Sequence, residues 1–359
     1  MTHVDKNMNT ISTIDLPDAV FHDVRQEPFQ VYGLYEYKNV GLFRRIPEEV
    51  ARATSPSVLR LHTNTAGGRV RFSTDSDFVA IRAVMPFVCR FNHMPLTASA
   101  GFDLYIDDPV TGISRYHRTF RPPLDMEGGY ESVVQFSKKM LRHFTIYFPS
   151  YSDVASLHIG LQPNAQLGQG MAYRAGDPVV YYGSSITQGA CASRPGNAYQ
   201  NVIARQLNMD YVNLGFSGAG KAEPSIVEYM PTLPMSAFVC DYDHNAPDWE
   251  YLKSTHFPLY QAIRAKHPDI PYIMVSRPDF DCDTYEKNIL RRKVIQESYH
   301  RAREQGDNNV YFVDGNGIFR GPFEDMCTVD AIHPNDLGFA RMADAIGCEL
   351  RRAFTQPLF

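Results

Sequence analysis

A serine, a histidine and a carboxylate each stand in this chain where their side chains could serve attack on an ester carbonyl. Ser185 follows Val179-Val180-Tyr181-Tyr182-Gly183-Ser184, a buried-strand pattern that Gly-Ser-Ser ends where a helix must begin. A serine hydroxyl is a weak nucleophile until an imidazole takes its proton, which imidazole does well because its ordinary pKa lies near neutrality. His333, in Asp330-Ala-Ile-His333-Pro334, is the candidate base. Asp330 is the carboxylate that would hold its tautomer. Attack places negative charge on the carbonyl oxygen, so fixed donors are needed. The backbone N–H groups of Ser185 and Gly218 and the side-chain amide of Asn245 are the candidates. Gly218 ends Gly215-Phe-Ser-Gly218 and Asn245 ends Asp241-Tyr-Asp-His-Asn245, each after a further apolar run.

Every one of these residues also has an ordinary structural reading. A strand-end serine is commonly a turn residue, Gly218 suits any tight turn, and Asn245 suits an Asx-turn. Asp330 could cap or pair near the last helix while another carboxylate, or none, orients the imidazole. His244 reads as packing or surface. Trp249, the single tryptophan, lies just beyond Asn245 and could stack on a sugar ring or serve the core. Two look-alike motifs overlap the glycine segment. Gly215-Phe-Ser-Gly-Ala-Gly220-Lys221-Ala222 fits a phosphate-binding loop, but Ala222 stands where a hydroxyl must hold Mg²⁺. The same stretch nearly makes a nucleophile elbow on Ser217, but Ala219 breaks the spacing.

The elements that must position these residues alternate strand and helix. Val179–Tyr182, Tyr211–Leu214, Ala237–Cys240, Tyr272–Val275 and Val310–Val313 are short apolar runs of the kind a parallel sheet buries on both faces. Tyr199, Val202, Ile203 and Leu207 share one helical face. A long helical segment, Tyr285–Gln305, is ended by Gly306, and a last helix runs from Asp336 to about Phe354 with Asn335 as N-cap. This pattern predicts a doubly wound α/β sheet, whose ligands bind beyond the carboxyl ends of the strands. Upstream, Val70–Ser73, Phe78–Ala83, Gly101–Asp107, Phe144–Phe148 and Leu157–Leu161 are period-two runs between Ser/Asp/Pro turns, predicting an antiparallel β-sandwich. The expected organisation is a polar segment over 1–24, a sandwich over 25–168, a Gly-rich linker over 169–177 and the α/β domain over 178–359. The sandwich could bind sugar, wall the cleft or mediate a homodimer.

A formal net charge of -5 gives no electrostatic ground for nucleic acid or an anionic membrane as partner. The start, Met1-Thr-His-Val-Asp-Lys-Asn-Met8, is polar and no run approaches a membrane span, so a cytoplasmic protein is expected. Six cysteines without a CxxC pair and 12 histidines without HExxH or similar spacing imply no disulfide framework, metal or other cofactor.

On these residues the chain resembles the SGNH or GDSL-type hydrolases. Gly183-Ser184-Ser185-Ile186 matches the nucleophile block, Gly218 the glycine block, Asn245 the asparagine block and Asp330-x-x-His333-Pro334 the last block. Ser184 replaces the usual aspartate, and Asp243-His-Asn245-Ala replaces the usual Gly-x-Asn-Asp. Gly101-Phe-Asp-Leu-Tyr105 is similar to the GxDLY signature of the β-sandwich module found before some of these enzymes. The resemblance implies a flavodoxin-like sheet, a jelly-roll-like sandwich, and a metal-independent serine esterase acting through an acyl-enzyme. It implies carbohydrate O-acetyl groups as substrate, here of short plant manno- or xylo-oligosaccharides. An acyltransferase, or an acylhydrolase of small non-sugar esters, is the alternative.

Overall fold

Alternation of apolar and polar residues gives the N-terminal half its two antiparallel sheets. The computed structural model describes residues 14–278 and 285–355, which divide into two units. The first thirteen residues of the expected polar segment lie outside the described residues. One sheet has the order β1 (Val20–Asp23), β9 (Ser156–Leu161), β4 (Phe78–Val84), β7 (Gly129–Gln135). The other has the order β10 (Leu167–Gln169), β3 (Arg69–Thr74), β8 (Arg142–Tyr147), β5 (Phe102–Asp107), β6 (Ser114–Phe120), and β2 (Gln30–Tyr32) also pairs with β3. Val70, Phe72, Leu104, Phe144 and Ile146 from this second sheet bury against Val79, Ile81, Leu157 and Ile159 from the first. Burying such side chains is worth roughly 1.5–3 kcal/mol each, and it is what joins the sheets.

Apart from the pairs β2/β3 and β5/β6, strands adjacent in sequence here lie in different sheets. β3 and β4 flank a short turn but do not pair; the turn carries the chain across the sandwich. Ser76 pins it, its buried Oγ accepting from Phe78 N–H at 3.3 Å and Gln162 N–H at 3.2 Å.

The Gly-x-Asp-Leu-Tyr signature has a local function in this unit, which also takes in residues 193–196. A Cβ on Gly101 would meet Thr97 O at 2.3 Å, after the short helix turn Leu96–Ser99. Leu104 fills the core. Asp103 is buried and accepts from Thr119 Oγ1 (2.6 Å), Gly196 N–H (2.8 Å) and Arg194 Nη1 (3.1 Å), while Tyr105 OH accepts from Arg194 Nη1 at 2.6 Å. Burial pushes the Asp103 carboxyl above its ordinary range, against the pull of the Arg194 charge and these hydrogen bonds. The signature therefore holds the 193–196 segment.

The second unit is a five-stranded, wholly parallel sheet in the order β12 (Tyr211–Gly215), β11 (Val179–Gly183), β13 (Ala237–Asp241), β14 (Tyr272–Val275), β15 (Val310–Val313). This is a flavodoxin-like order, with the topological switch at β11. Successive strand residues face opposite layers. Val180, Tyr182, Leu214 and Phe238 join one apolar cluster, and Val179, Tyr181, Tyr211 and Val239 the other. The helices α1 (Glu48–Thr54), α2 (Pro56–Leu61), α6 (Pro224–Tyr229), α7 (Trp249–Lys266) and α8 (Tyr285–Glu304) belong to the first layer, while α5 (Tyr199–Leu207) and α10 (Asp336–Thr355) belong to the second. Asn335 caps α10, its Oδ1 accepting from Leu337 N–H at 3.0 Å.

The expected boundaries need correction in three places. The sandwich begins with β1 at Val20, inside the segment expected to be a polar start, because Phe21 and its neighbours pair with β9. Residues 46–62 fold with the α/β unit, since Ile46, Ala51, Val58 and Leu61 bury in its core. The linker starts later than expected because Leu167–Gln169 pairs with β3.

Candidate active site

The carboxyl end of β11 is built so that a side chain can leave it at Ser185. The register sets Gly183 opposite Gly215 and Asp241, bringing three strand ends together. Gly183 must lack a Cβ, which would meet Thr187 Oγ1 at 2.0 Å and Asp241 O at 2.3 Å. Ser184 then caps the short helix α4 (Ser185–Gln188), accepting from Ile186 N–H at 3.1 Å, and Gly189 closes that helix at φ 99°.

Ser185 is 9% exposed, and its Oγ lies 2.9 Å from His333 Nε2. On the far side of the ring, His333 Nδ1 lies 2.7 Å from Asp330 Oδ2. Asp330 Oδ1 also accepts the His333 backbone N–H at 2.7 Å and Ile332 N–H at 3.2 Å, so the aspartate fixes both the ring and the turn that carries it. Burial pushes the Asp330 carboxyl up, but the hydrogen bonds from His333 and Ile332 and the His333 charge outweigh it and hold it below its ordinary value. An Nδ1–H donated to a carboxylate leaves Nε2 able to accept the serine proton. Asp330 thus lies against the imidazole, while the last helix is capped by Asn335.

The candidate oxyanion donors follow β12 and β13. Gly218 has φ 67°, is exposed, and its backbone N–H makes no hydrogen bond among the described residues. Asn245 Nδ2 donates to Phe216 O at 2.8 Å, which aims the amide and leaves one N–H. Phe216 O also accepts from Ala219 and Gly220, so one carbonyl ties the glycine loop to the asparagine turn. Trp249 opens α7 and packs half-buried against the apolar cluster. Ser217 gives its N–H to Gln188 Oε1 and makes no hydrogen bond to a histidine among the described residues. Glu223 Oε2 accepts from Lys221 N–H, so a carboxylate stands in the loop that a phosphate would need.

Several supporting residues lie outside the motif blocks. Thr187 Oγ1 donates to Asp241 Oδ2 at 3.1 Å, and Tyr199 OH donates to the same oxygen at 2.9 Å. Asp241 is fully buried, and burial lifts its carboxyl to about 7 against the pull of those hydrogen bonds. Asn213 Nδ2 and Gln200 Nε2 both donate to Thr187 O, at 2.7 and 2.8 Å, anchoring the nucleophile helix. Asp243 is buried and paired with Arg291 of α8. Its turn also holds His244, whose Nε2 is buried; burial and the Arg277, His333 and Arg291 charges keep that imidazole neutral. The strand-end positions of Asp241 and Asp243 were visible in the sequence; the distant partners Tyr199 and Arg291 carried no motif signal.

A hydroxyl, an imidazole and a carboxylate in line at the carboxyl end of a doubly wound parallel sheet define an α/β enzyme of the ester-hydrolase class. Comparison with known proteins narrows this class. Residues 176–351 match the model of the GDSL-like Lipase/Acylhydrolase family, and residues 19–167 match that of the N-terminus of Esterase_SGNH_hydro-type. The chain belongs to this family: a GDSL-like acylhydrolase domain preceded by a GxDLY module. A GDSL-like lipase from Bacteroides ovatus shares 27% identity, with a TM-score of 0.82 over 94% of this chain and 98% of that one. The salicylyl-acyltransferase SsfX3 of a tetracycline biosynthetic pathway shares the fold at 21% identity, TM-score 0.74, covering 96% and 100%. A family two carbohydrate esterase from Clostridium thermocellum, solved with cellohexaose, shares it at 15% identity, TM-score 0.59, covering 81% and 94%. No curated protein sequence matches this chain.

Proposed function

We propose that this protein is a serine esterase that removes O-acetyl groups from carbohydrates, with short manno- or xylo-oligosaccharides as substrates. The observation that carries the reading is the continuous chain Ser185 Oγ, His333 Nε2, His333 Nδ1, Asp330 Oδ2, with its two gaps of 2.9 and 2.7 Å. Ser185 Oγ attacks the acyl carbon as His333 Nε2 takes its proton, and the tetrahedral oxyanion is held by the Gly218 and Ser185 N–H groups and Asn245 Nδ2. Collapse expels the sugar alkoxide, which His333 protonates, leaving an acyl-serine. Water, deprotonated by the same imidazole, then releases acetate and restores the hydroxyl.

Exposure supports a large, hydrophilic alcohol as leaving group. The side chains of His333 and Asp330 are 21% and 36% exposed, so an ester on a bulky sugar chain can reach Ser185 without being engulfed. The fold shared with carbohydrate esterases agrees with this choice.

The test is acetate release from a panel of acetylated manno- and xylo-oligosaccharides, read by mass spectrometry, with an alcohol acceptor in a parallel arm. Release in proportion to lost acetyl mass is expected. Activity confined to long-chain acyl esters, or acyl transfer to the alcohol in preference to water, would replace the reading with the corresponding alternative.

A further inference from the structure

Phe323, Met326, Val329 and Ile332 stay 40–65% exposed within one short stretch of chain. That stretch runs into the turn that carries Asp330 and His333, and all of it belongs to the α/β unit. A single exposed apolar side chain is ordinary, whereas a run of them leading into a catalytic turn marks a contact surface.

The stretch is tied to α10 along its length, so these side chains are held out in water by an anchored backbone. Arg341 donates to Phe319 O and Pro322 O. Asn335 donates its backbone N–H to Cys327 O at 3.0 Å and its Nδ2 to Met326 O at 2.6 Å. Thr328 bridges to Pro334, and Val329 N–H donates to His333 O at 2.9 Å. Val329 and Ile332 therefore share one turn with Asp330 and His333.

Phe323 is also strained. It sits at φ 64°, the left-handed region that suits glycine and disfavours a bulky side chain. An aromatic ring kept at such a position, and left exposed there, points to a use for the ring.

The chemistry of His333 says what the rim would meet. Nε2 protonates the departing alkoxide, so the alcohol oxygen must come within hydrogen-bond reach of that atom. The rest of the alcohol then extends over the turn that carries the imidazole, toward the apolar rim. Sugar hydroxyls find no partner in these four side chains. The stretch holds the carboxylates Glu324, Asp325 and Asp330 and no lysine or arginine, so an anionic bilayer or a fatty carboxylate is a poor occupant. An uncharged apolar ring suits both conditions.

We propose that Phe323, Met326, Val329 and Ile332 bind the apolar aglycone of an O-acetylated glycoside, so that the alcohol released is a sugar carrying an aryl group. This rests on the esterase reading for the direction in which the alcohol lies, and names its substrate class more closely.

The experiment is calorimetric titration of the full chain carrying Ser185→Ala, so that turnover plays no part. The probes are 2-naphthyl β-xyloside and methyl β-xyloside, acetylated at the same hydroxyls and differing only in the aglycone. The naphthyl compound should bind roughly tenfold or more tighter, from the apolar area it buries. Adding Phe323→Gly and Met326→Ser should remove most of that advantage. Phe323→Gly should leave the melting temperature close to its parent's, because glycine accepts φ 64° and the ring is exposed, which separates loss of the ring from loss of the fold. Should the double variant melt early, Phe323→Gly alone decides. Equal binding of the two glycosides, binding of neither, or an advantage that persists in the variants would overturn the proposal. So would a dimer of the native chain that the same substitutions dissociate, because a second copy would then cover the rim. A naphthyl preference in a protein whose wild type releases no acetate would count against the esterase reading alone.

Discussion

Arg291 Nε donates to Asp243 Oδ1 across 2.9 Å, and this buried pair holds the turn that carries Asn245. Arg291 Nη2 also reaches Asp243 O and Ala246 O, at 2.6 and 2.5 Å, so one guanidinium brackets Asn245 from both sides in sequence. Asp243 Oδ2 accepts Arg277 N–H at 3.0 Å, completing the frame. The usual Gly-x-Asn-Asp arrangement is thus replaced by an ion pair that reaches back from α8.

Arg291→Met should therefore act on both stability and rate. It leaves the Asp243 carboxylate buried without its partner, which costs about 3–5 kcal/mol. Displacing Asn245 should lower kcat by on the order of tenfold or more with little change in KM. Melting curves and steady-state kinetics check both. Wild-type kcat in a folded Arg291→Met protein would remove the positioning role.

Asn245→Ala removes the donor itself. The expected loss is about 10²–10³ in kcat, with KM nearly constant, because the interaction is made with the oxyanion and not the ground-state carbonyl. A change confined to KM would show that the amide contacts substrate only.

Much of this site was legible from the chain, and particular residues show why. Ser185, Gly218 and Asn245 are announced by strand ends, since an apolar run that stops abruptly locates the edge of a buried sheet, and His333 by its place just before the last helix. Asn335 was readable as a cap because its Oδ1 serves its own helix. Arg291 was not, because its partner lies 48 residues away in sequence and no motif marks its place in the helix. The sandwich strands β3, β4, β5, β8 and β9 were readable by alternation, but the assignment to two sheets was not: β3 and β4 share a turn, and period two is the same whether the next strand pairs or crosses. Residues 46–62 were misassigned for a related reason. An apolar face such as Ala51, Val58 and Leu61 does not say which of two cores it fills.

Asp330→Asn tests the orienting carboxylate. The substitution keeps the shape but offers an amide where the Nδ1–H needs an acceptor, so kcat should fall roughly 10²–10⁴-fold near neutral pH. Full activity would assign the orienting role elsewhere. Since the native environment depresses the Asp330 carboxyl, its contribution to stability is present above the unfolded-state value and is lost as pH falls through the lower folded value. Wild type should accordingly lose more melting temperature than Asp330→Asn in that acidic window.

Asp241 has the opposite sign. Its carboxyl is raised to about 7, so between the unfolded value of about 3.9 and that point the native state holds the extra proton. Stability from this group is full at low pH and declines as pH rises through the window, by at most roughly 4 kcal/mol. Asp241→Asn imitates the protonated form, keeping an acceptor for Tyr199 and Thr187. It should flatten the melting temperature between about pH 4 and pH 8 and raise it at pH 8 relative to wild type. A pH dependence identical to wild type would show that the carboxyl is ionised throughout.

The most direct measurement is hydrolysis of an aryl acetate by wild type and by Ser185→Ala, with both proteins shown to melt alike. An active wild type is expected, with the alanine protein reduced by at least about 10³-fold, because the Ser185 hydroxyl is the one that lies 2.9 Å from His333 Nε2. Retention of most of the activity in Ser185→Ala would contradict the assignment of Ser185 as nucleophile.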